Sequence, residues 1–284
     1  MAAVLAASRP LRRAGGALLA VVVLLSGVML AGPGNAAGKR IGPGVQMMTK
    51  GAQCTANFVF KDRRGRTYVG YAAHCAGKGS ETDTNGCRTA SFPLGTRVTF
   101  TTGANLISSG TVLGRGRLRY SSWIAMHRAH TGRQAACAHD DLALVRVDAR
   151  DVRKVSPTVP VLGGPTGVAA PPRKGRKVYT YGDSSLRGPE AKRGTVQARS
   201  AWSARVFTLV TPGIPGDSGS GFMTGSGRAF GVLSTLDLLP HVGSNSVGSL
   251  GREMAFARRH GVRGLRLVHG HRAFRPGGVL PLIG

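Results

Sequence analysis

The chain has 284 residues, with 39 Lys and Arg against 12 Asp and Glu and a formal net charge of +27. That length leaves room for a real core in one large domain or two small ones. Beyond one apolar run near the start, no segment is long enough to cross a bilayer, which excludes a multi-spanning membrane protein. The basic residues are 31 Arg and 8 Lys, a skew that a GC-rich genome produces as readily as a function does, so charge alone names no partner.

The first 37 residues read as an export signal. "SRPLRRAGG" carries three Arg, an apolar run follows from Ala17 to Ala31, and "GPGNAAG" supplies small residues for cleavage after Ala36 or Ala37. The run is about 15 residues, short of the ~20 that a spanning helix needs. Arg12-Arg13 would permit twin-arginine export, but the fuller flanking pattern is missing and the general route is expected. Removing residues 1–37, which hold three basic residues and no acid, leaves an excess of +24. The mature chain is therefore expected to be soluble, secreted and free of the membrane.

From residue 38 on, the pattern is all-β. Short apolar or alternating runs at 55–60, 66–72, 96–100, 142–147, 177–182, 205–210 and 229–236 are separated by Gly, Asn, Asp and Pro clusters. The composition breaks once, at 156–177, where Pro and Gly crowd into a connector. This divides the chain into an N-terminal β module (38–155), the connector, a C-terminal β module (178–245) and a terminal stretch (246–284). In that last stretch Leu250, Met254 and Ala257 share one helical face and Gly261 supplies a stop signal, so a short helix followed by a basic tail is expected.

Four Cys remain in the exported chain, at 54, 75, 87 and 137, and an even number implies two disulfides. "CTANFVFKDRRGRTYVGYAAHC" holds two strand-like runs around a polar turn. A hairpin centred between Arg64 and Gly65 pairs residues whose numbers sum to 129, which sets Cys54 opposite Cys75. Such a bridge would lock the strand end that presents His74.

"CAHDDLALVRVD" places an acid at the start of another strand. On that strand Asp141 shares its face with Ala143, Val145 and Val147, whereas Asp140 shares its face with Leu142, Leu144 and Arg146. An acid that orients a His must be buried, so Asp141 is the expected partner. "PGDSGSGF" at 215–222 then offers Ser218 as a nucleophile, since such a Ser needs a His to take its proton and an acid to hold that His.

His74 in "AAHC", Asp141 in "DLAL" and Ser218 in "GDSGS", in that order, resemble the chymotrypsin-like serine proteases, most of all the secreted bacterial branch that includes the streptogrisins. The resemblance covers roughly residues 41–240. It implies two antiparallel β-barrels with the active site in the cleft between them, His74 and Asp141 coming from the first barrel and Ser218 from the second. It implies a serine endopeptidase working through an acyl-enzyme, with an oxyanion hole from the N–H groups of Gly216 and Ser218. The competing reading is an inactive homologue that keeps the barrels as a binding module.

The resemblance implies no cofactor and no metal. It makes Asp217 a buried acid held by a cation, an internal Arg being preferred over the amine of Ile41 in "KRIGPG". The stretch Ser234, Thr235 and Leu236 should form one wall of the primary pocket. Pro212 stands where trypsin-like members place a carboxylate, and Leu236 where many have Gly, so a small or apolar substrate side chain is expected. The family usually follows its Ser-Gly with a second Gly, where this chain has Ser220. The His-to-Asp insert is long and carries Cys87 and Cys137, which are expected to close the second disulfide. His127, His130, Cys137 and His139 offer zinc-type donors, but the disulfide demand on Cys137 and the irregular spacing argue against a metal site. His269 and His271 read as exposed tail residues. Protein or peptide substrates, a monomer, no dedicated nucleic-acid partner and only non-specific adsorption to polyanions complete the expectation.

Overall fold

The computed structural model describes residues 40–79, 85–208, 212–237 and 243–278, apart from the side chains of Leu236, Asp237 and Gly278. All lie within one compact unit covering 36–284, and the expected signal peptide falls outside the described residues. Seven strands come first: β1 (Gln46–Thr49), β2 (Ala52–Thr55), β3 (Val59–Lys61), β4 (Thr67–Ala72), β5 (Arg97–Thr102), β6 (Thr111–Ser121) and β7 (Leu142–Val147). Helices α1 (Ser122–Arg128) and α2 (Gln134–His139) lie between β6 and β7. After the connector come β8 (Lys177–Ser184), β9 (Gly188–Arg199), β10 (Ser203–Phe207), β11 (Gly221–Thr224), β12 (Ala229–Asp237) and β13 (Ser244–Ser249), then helix α3 (Leu250–His260) and the short β14 (Arg266–Leu267).

The strands form two antiparallel sheets. The second, in the order β10-β13-β12-β11-β8-β9, closes into a six-stranded barrel. The first has eight strands in the order β14-β3-β4-β7-β6-β5-β1-β2. A disulfide joins Cys54 on its edge strand β2 to Cys75 just beyond β4, with Cα atoms 6.2 Å apart. An edge strand can touch the third strand from the opposite edge only if the sheet is rolled, so this sheet too curls around its core. Phe58, Phe60, Tyr71, Phe100, Leu118 and Trp123 fill that core, and Phe222 packs edge-on against Phe230 in the second.

The hairpin register differs from the sequence reading by one residue. Val59 faces Val69 and Lys61 faces Thr67, so paired numbers sum to 128 and the turn centres on Arg64. Asp62 decides this. Its Oδ1 accepts the N–H groups of Arg64 and Arg66 at 2.9 and 3.0 Å, and Gly65 takes a left-handed φ of +75°, giving a three-residue loop with Gly at its left-handed position. Cys54 accordingly does not sit opposite Cys75 in this hairpin; it pairs with Met47 on β1.

Six strands, β1, β6, β9, β11, β13 and β14, lie outside the runs read from the sequence, three of them for identifiable reasons. Along β6 the inward positions include Gly114 and Gly116, and a Cβ at either would collide, with Ile41 and Asp151 or with Val145. The "RGRLR" stretch is thus a strand with Arg outside and Gly inside. Along β9 the inward residues are Lys192, Gly194 and Val196, a buried cation breaking the apolar alternation. β13 reads "SNSVGS" and is a strand because β10 and β12 pair with it from both sides.

The segment after α3 is not a free basic tail. Val262 and Leu265 are buried, β14 pairs with β3, the Phe274 ring meets Tyr179 edge-on, and the Arg275 N–H donates to the Leu162 carbonyl at 2.7 Å. The chain returns along the β3 edge of the first sheet and then meets the connector and β8. His269 and His271 are exposed on it.

Gly65 isolates the backbone term of the hairpin, because a Cβ there meets nothing within 4 Å. Gly65→Ala is expected to cost about 1–2 kcal/mol from the left-handed φ alone, and Asp62→Ala more, since it also strips two backbone N–H groups of their acceptor. Urea denaturation measures both; an unchanged midpoint for Gly65→Ala would contradict the turn.

Candidate active site

Strands β4 and β7 are neighbours, with Ala72 facing Leu142. Continuing that register by one residue brings the His74 turn against Asp141. The Ala73 N–H donates to the Asp141 carbonyl at 2.9 Å, and His74 opens a 3-10 turn through Ala76. The His74 ring Nδ1 lies 2.7 Å from Asp141 Oδ2, and the His74 backbone N–H donates to Oδ1 at 2.9 Å. The Ser234 hydroxyl donates to Oδ2 at 2.6 Å.

The Ser234 hydroxyl therefore faces Asp141, a contact that the sequence reading did not foresee. The β12–β13 register slips between Leu233 and Thr235, making Ser234 the extra residue of a bulge, and bulges re-aim side chains in this way. Three hydrogen bonds thus converge on the one carboxylate. Asp140 is as buried as Asp141, which corrects the face argument, because Leu142 and Leu144 are buried as well. Hydrogen bonding, not burial, separates the two acids: among the described residues neither Asp140 oxygen has a hydrogen-bond partner.

Ser218 lies in the turn before β11, and that turn is docked on the first sheet. The Thr55 N–H donates to the Ser218 carbonyl at 2.8 Å. The Gly216 carbonyl accepts from the Thr55 hydroxyl at 2.8 Å and from Gln53 Nε2 at 3.0 Å. Gly216 and Gly219 have φ of +92° and +88°, and a Cβ on Gly219 would come within 2.7 Å of the Ala72 nitrogen and the Thr55 oxygen. Only Gly lets the turn approach this closely, two residues from His74. Among the described residues neither the Gly216 nor the Ser218 N–H donates to a protein acceptor. Ser220 fits because its hydroxyl donates to the Asp217 carbonyl at 2.5 Å inside the same turn.

Behind the turn, Asp217 is buried against two cations. The Lys192 ammonium and Arg187 Nη2, the latter at 2.9 Å, both bind Oδ2. Arg187 is the internal Arg expected from the sequence, and the buried Lys192 is a second cation that the sequence reading did not name. The Ile41 N–H instead donates to the Lys154 carbonyl at 3.0 Å. Burial pushes the Lys192 ammonium down against the pull of Asp217. Asp183, close by, is pushed up to about 7, by burial first and the Asp217 charge second.

The two expected pocket walls are tied together by Asn245, which the sequence reading missed. Its Oδ1 accepts the Gly213 N–H at 2.8 Å, and its Nδ2 donates to the Gly213 and Thr235 carbonyls at 3.0 and 3.2 Å. Pro212 is half-buried, and its carbonyl accepts from Arg187 at 3.0 Å. The Leu236 side chain lies outside the described residues.

The second disulfide joins Cys87 to Cys137 on α2, so Cys137 offers no thiolate to His127, His130 or His139. Among the described residues the one cluster of metal-type donors is Cys54, His74 and Cys75, whose two sulfurs are the first disulfide. No helix among the described residues is long and apolar enough to cross a membrane.

Neither a protein-family model nor a curated protein matches the sequence. Solved structures do. Thermobifida fusca protease A is 22% identical, with 81% of this chain and 99% of that one covered at a TM-score of 0.51. A serine protease described as glutamic-acid specific is 17% identical over 80% of this chain and all of its own, at a TM-score of 0.50. The chain has the fold of the bacterial chymotrypsin-like serine proteases.

The cation network yields two tests. Removing one partner of a buried ion pair leaves an uncompensated charge, so Lys192→Met is expected to cost about 3 kcal/mol, with Arg187 keeping it from being larger. For Asp183 the folded pKa lies above the unfolded value near 3.9. Its stabilising contribution is then complete below that value and lost as pH rises through about 7. Thermal melts should show the wild type losing ground to Asp183→Asn between pH 5 and 8; a constant difference in Tm across that range would contradict the assignment.

Proposed function

We propose that the protein is a secreted serine endopeptidase that hydrolyses peptide bonds through His74, Asp141 and Ser218. The observation that carries this reading is the set of three donors on Asp141, two of them from His74. A carboxylate bound to Nδ1 holds the imidazole in the tautomer whose Nε2 can accept a proton. Ser218 attacks the substrate carbonyl carbon as His74 takes the hydroxyl proton. The N–H groups of Gly216 and Ser218 stabilise the oxyanion. His74 then returns the proton to the leaving amine, and water resolves the acyl-enzyme by the same steps in reverse.

Export fits the rest of the chain. Residues 1–37 have the order of a cleavable signal, and all four Cys of the remainder are in disulfides, bonds that persist in oxidising compartments. An inactive binding module would need neither a three-donor orienting acid nor two N–H groups without protein acceptors beside Ser218. Substrates are proteins or peptides, and Pro212 and Leu236 at the expected pocket positions favour a small or apolar side chain at the cleaved bond. A monomer with diffuse polyanion adsorption accompanies this reading.

Purified mature protein should cleave unfolded casein, and Ser218→Ala or His74→Ala should reduce turnover by several orders of magnitude. Asp141→Asn should fold and lose about 10⁴-fold in kcat. Casein left intact by wild-type protein of native Tm would refute the reading.

A further inference from the structure

Three carboxyl groups meet behind the His74 ring, and the proposed mechanism uses one. Glu253, in the first turn of α3, is fully buried on the same face as Leu250, Met254 and Ala257. Its Oε1 accepts the N–H of Asp141 at 3.2 Å, so its carboxyl sits at the Asp140–Asp141 peptide bond. That position is packed shut: a Cβ on Gly248 would strike the same oxygen and would lie 2.7 Å from the His139 carbonyl. Among the described residues both oxygens of Asp140, Oε2 of Glu253 and the buried Tyr120 hydroxyl lack a hydrogen-bond partner. Buried polar atoms are seldom left so, and two buried carboxylates side by side would repel as well. A proton on each carboxyl removes the repulsion and gives each a donor, because a carboxyl O–H donates where a carboxylate only accepts.

We propose that Asp140 and Glu253 form an uncharged acid pair, each carboxyl keeping its own proton, in which Glu253 positions Asp141 through its main chain. Glu253 is a positioning residue, acting on His74 only through Asp141; its catalytic consequence rests on the protease reading. The division of roles follows from the donors. Asp141 receives three. Asp140 has none, and Glu253 has one weak backbone N–H. The charged and titratable groups facing the pair are Asp141, the Tyr120 hydroxyl and, from the outer end of α3, Arg259. Burial pushes both Asp140 and Glu253 up, followed at Asp140 by the Asp141 charge and at Glu253 by the Asp140 charge. The Ser122 hydroxyl, Arg259 and the Leu142 N–H oppose this at Asp140, though neither polar group is within hydrogen-bond geometry of its oxygens, and the Asp141 N–H opposes it at Glu253.

Infrared spectroscopy of the mature protein at pH 9, where Asp183 has ionised, reads protonated carboxyls without reference to hydrolysis. Wild type should show the protonated-carboxyl band, and Asp140→Asn/Glu253→Gln should lose it; a folded wild type without the band overturns the pair. In kinetics, Glu253→Leu should lower kcat about 10²-fold at unchanged KM, as small misplacements of a catalytic group do, and Glu253→Gln, a neutral acceptor of the same shape, should recover most of that loss. Equal loss in both variants, or none in Glu253→Leu, overturns the positioning role. Should Glu253→Leu not fold, the His74 pKa measured by NMR decides. It should be the same in Glu253→Gln as in wild type, and a shift of about one unit would show that the pair carried charge. A wild type that shows the band and hydrolyses nothing upholds the pair and sinks the protease reading instead.

Discussion

Thr55 donates twice to the turn that carries Ser218, its N–H to the Ser218 carbonyl and its hydroxyl to the Gly216 carbonyl. Gln53 adds a third bond to Gly216 from the same strand. A turn leading into the second barrel is thereby fixed to the edge of the first sheet. The constraint is steric as much as polar, because Gly219 lies where a Cβ would overlap Ala72 and Thr55. The Cys54–Cys75 bridge belongs to the same arrangement: Cys54 adjoins Thr55 and Cys75 adjoins His74. One covalent bond and three hydrogen bonds therefore set the distance between the two halves of the site.

Charge is distributed around that junction by burial and donors. On one side Asp217 holds the turn against Lys192 and Arg187, with Asp183 near enough to feel its charge. On the other, Asp141 gathers the donors while Asp140 and Glu253 have almost none. Buried ions are costly unless paired and hydrogen-bonded, so each sits where a specific partner reaches it. The large positive excess plays no part in these pairs. Arg97, Arg117 and Arg146 instead face one another across β5, β6 and β7.

His74, Asp141 and Ser218 each stand in a short motif, and the strands around them alternate clearly enough that the all-β class and the two-sheet division can be read from the chain. The residues that hold the site in shape are less legible. Lys192 reaches Asp217 across 25 residues, in a strand whose alternation it breaks. Ser234 faces Asp141 only because a bulge turns it. Asn245 sits in a Ser- and Gly-rich stretch that becomes a strand through pairing on both sides. Glu253 leaves one trace, an acid on the apolar stripe of α3, but nothing in the sequence says what it faces. The hairpin register was lost by one residue because the side chain of Asp62, not the centre of the polar run, sets the turn.

The central claim is that this junction activates one serine. Treating folded mature protein with a fluorophosphonate and mapping the adduct by mass spectrometry tests it most directly. The predicted result is a single modification on Ser218, absent from His74→Ala protein of unchanged fold. Native protein that stays unlabelled, or carries the label on another residue, would contradict the account.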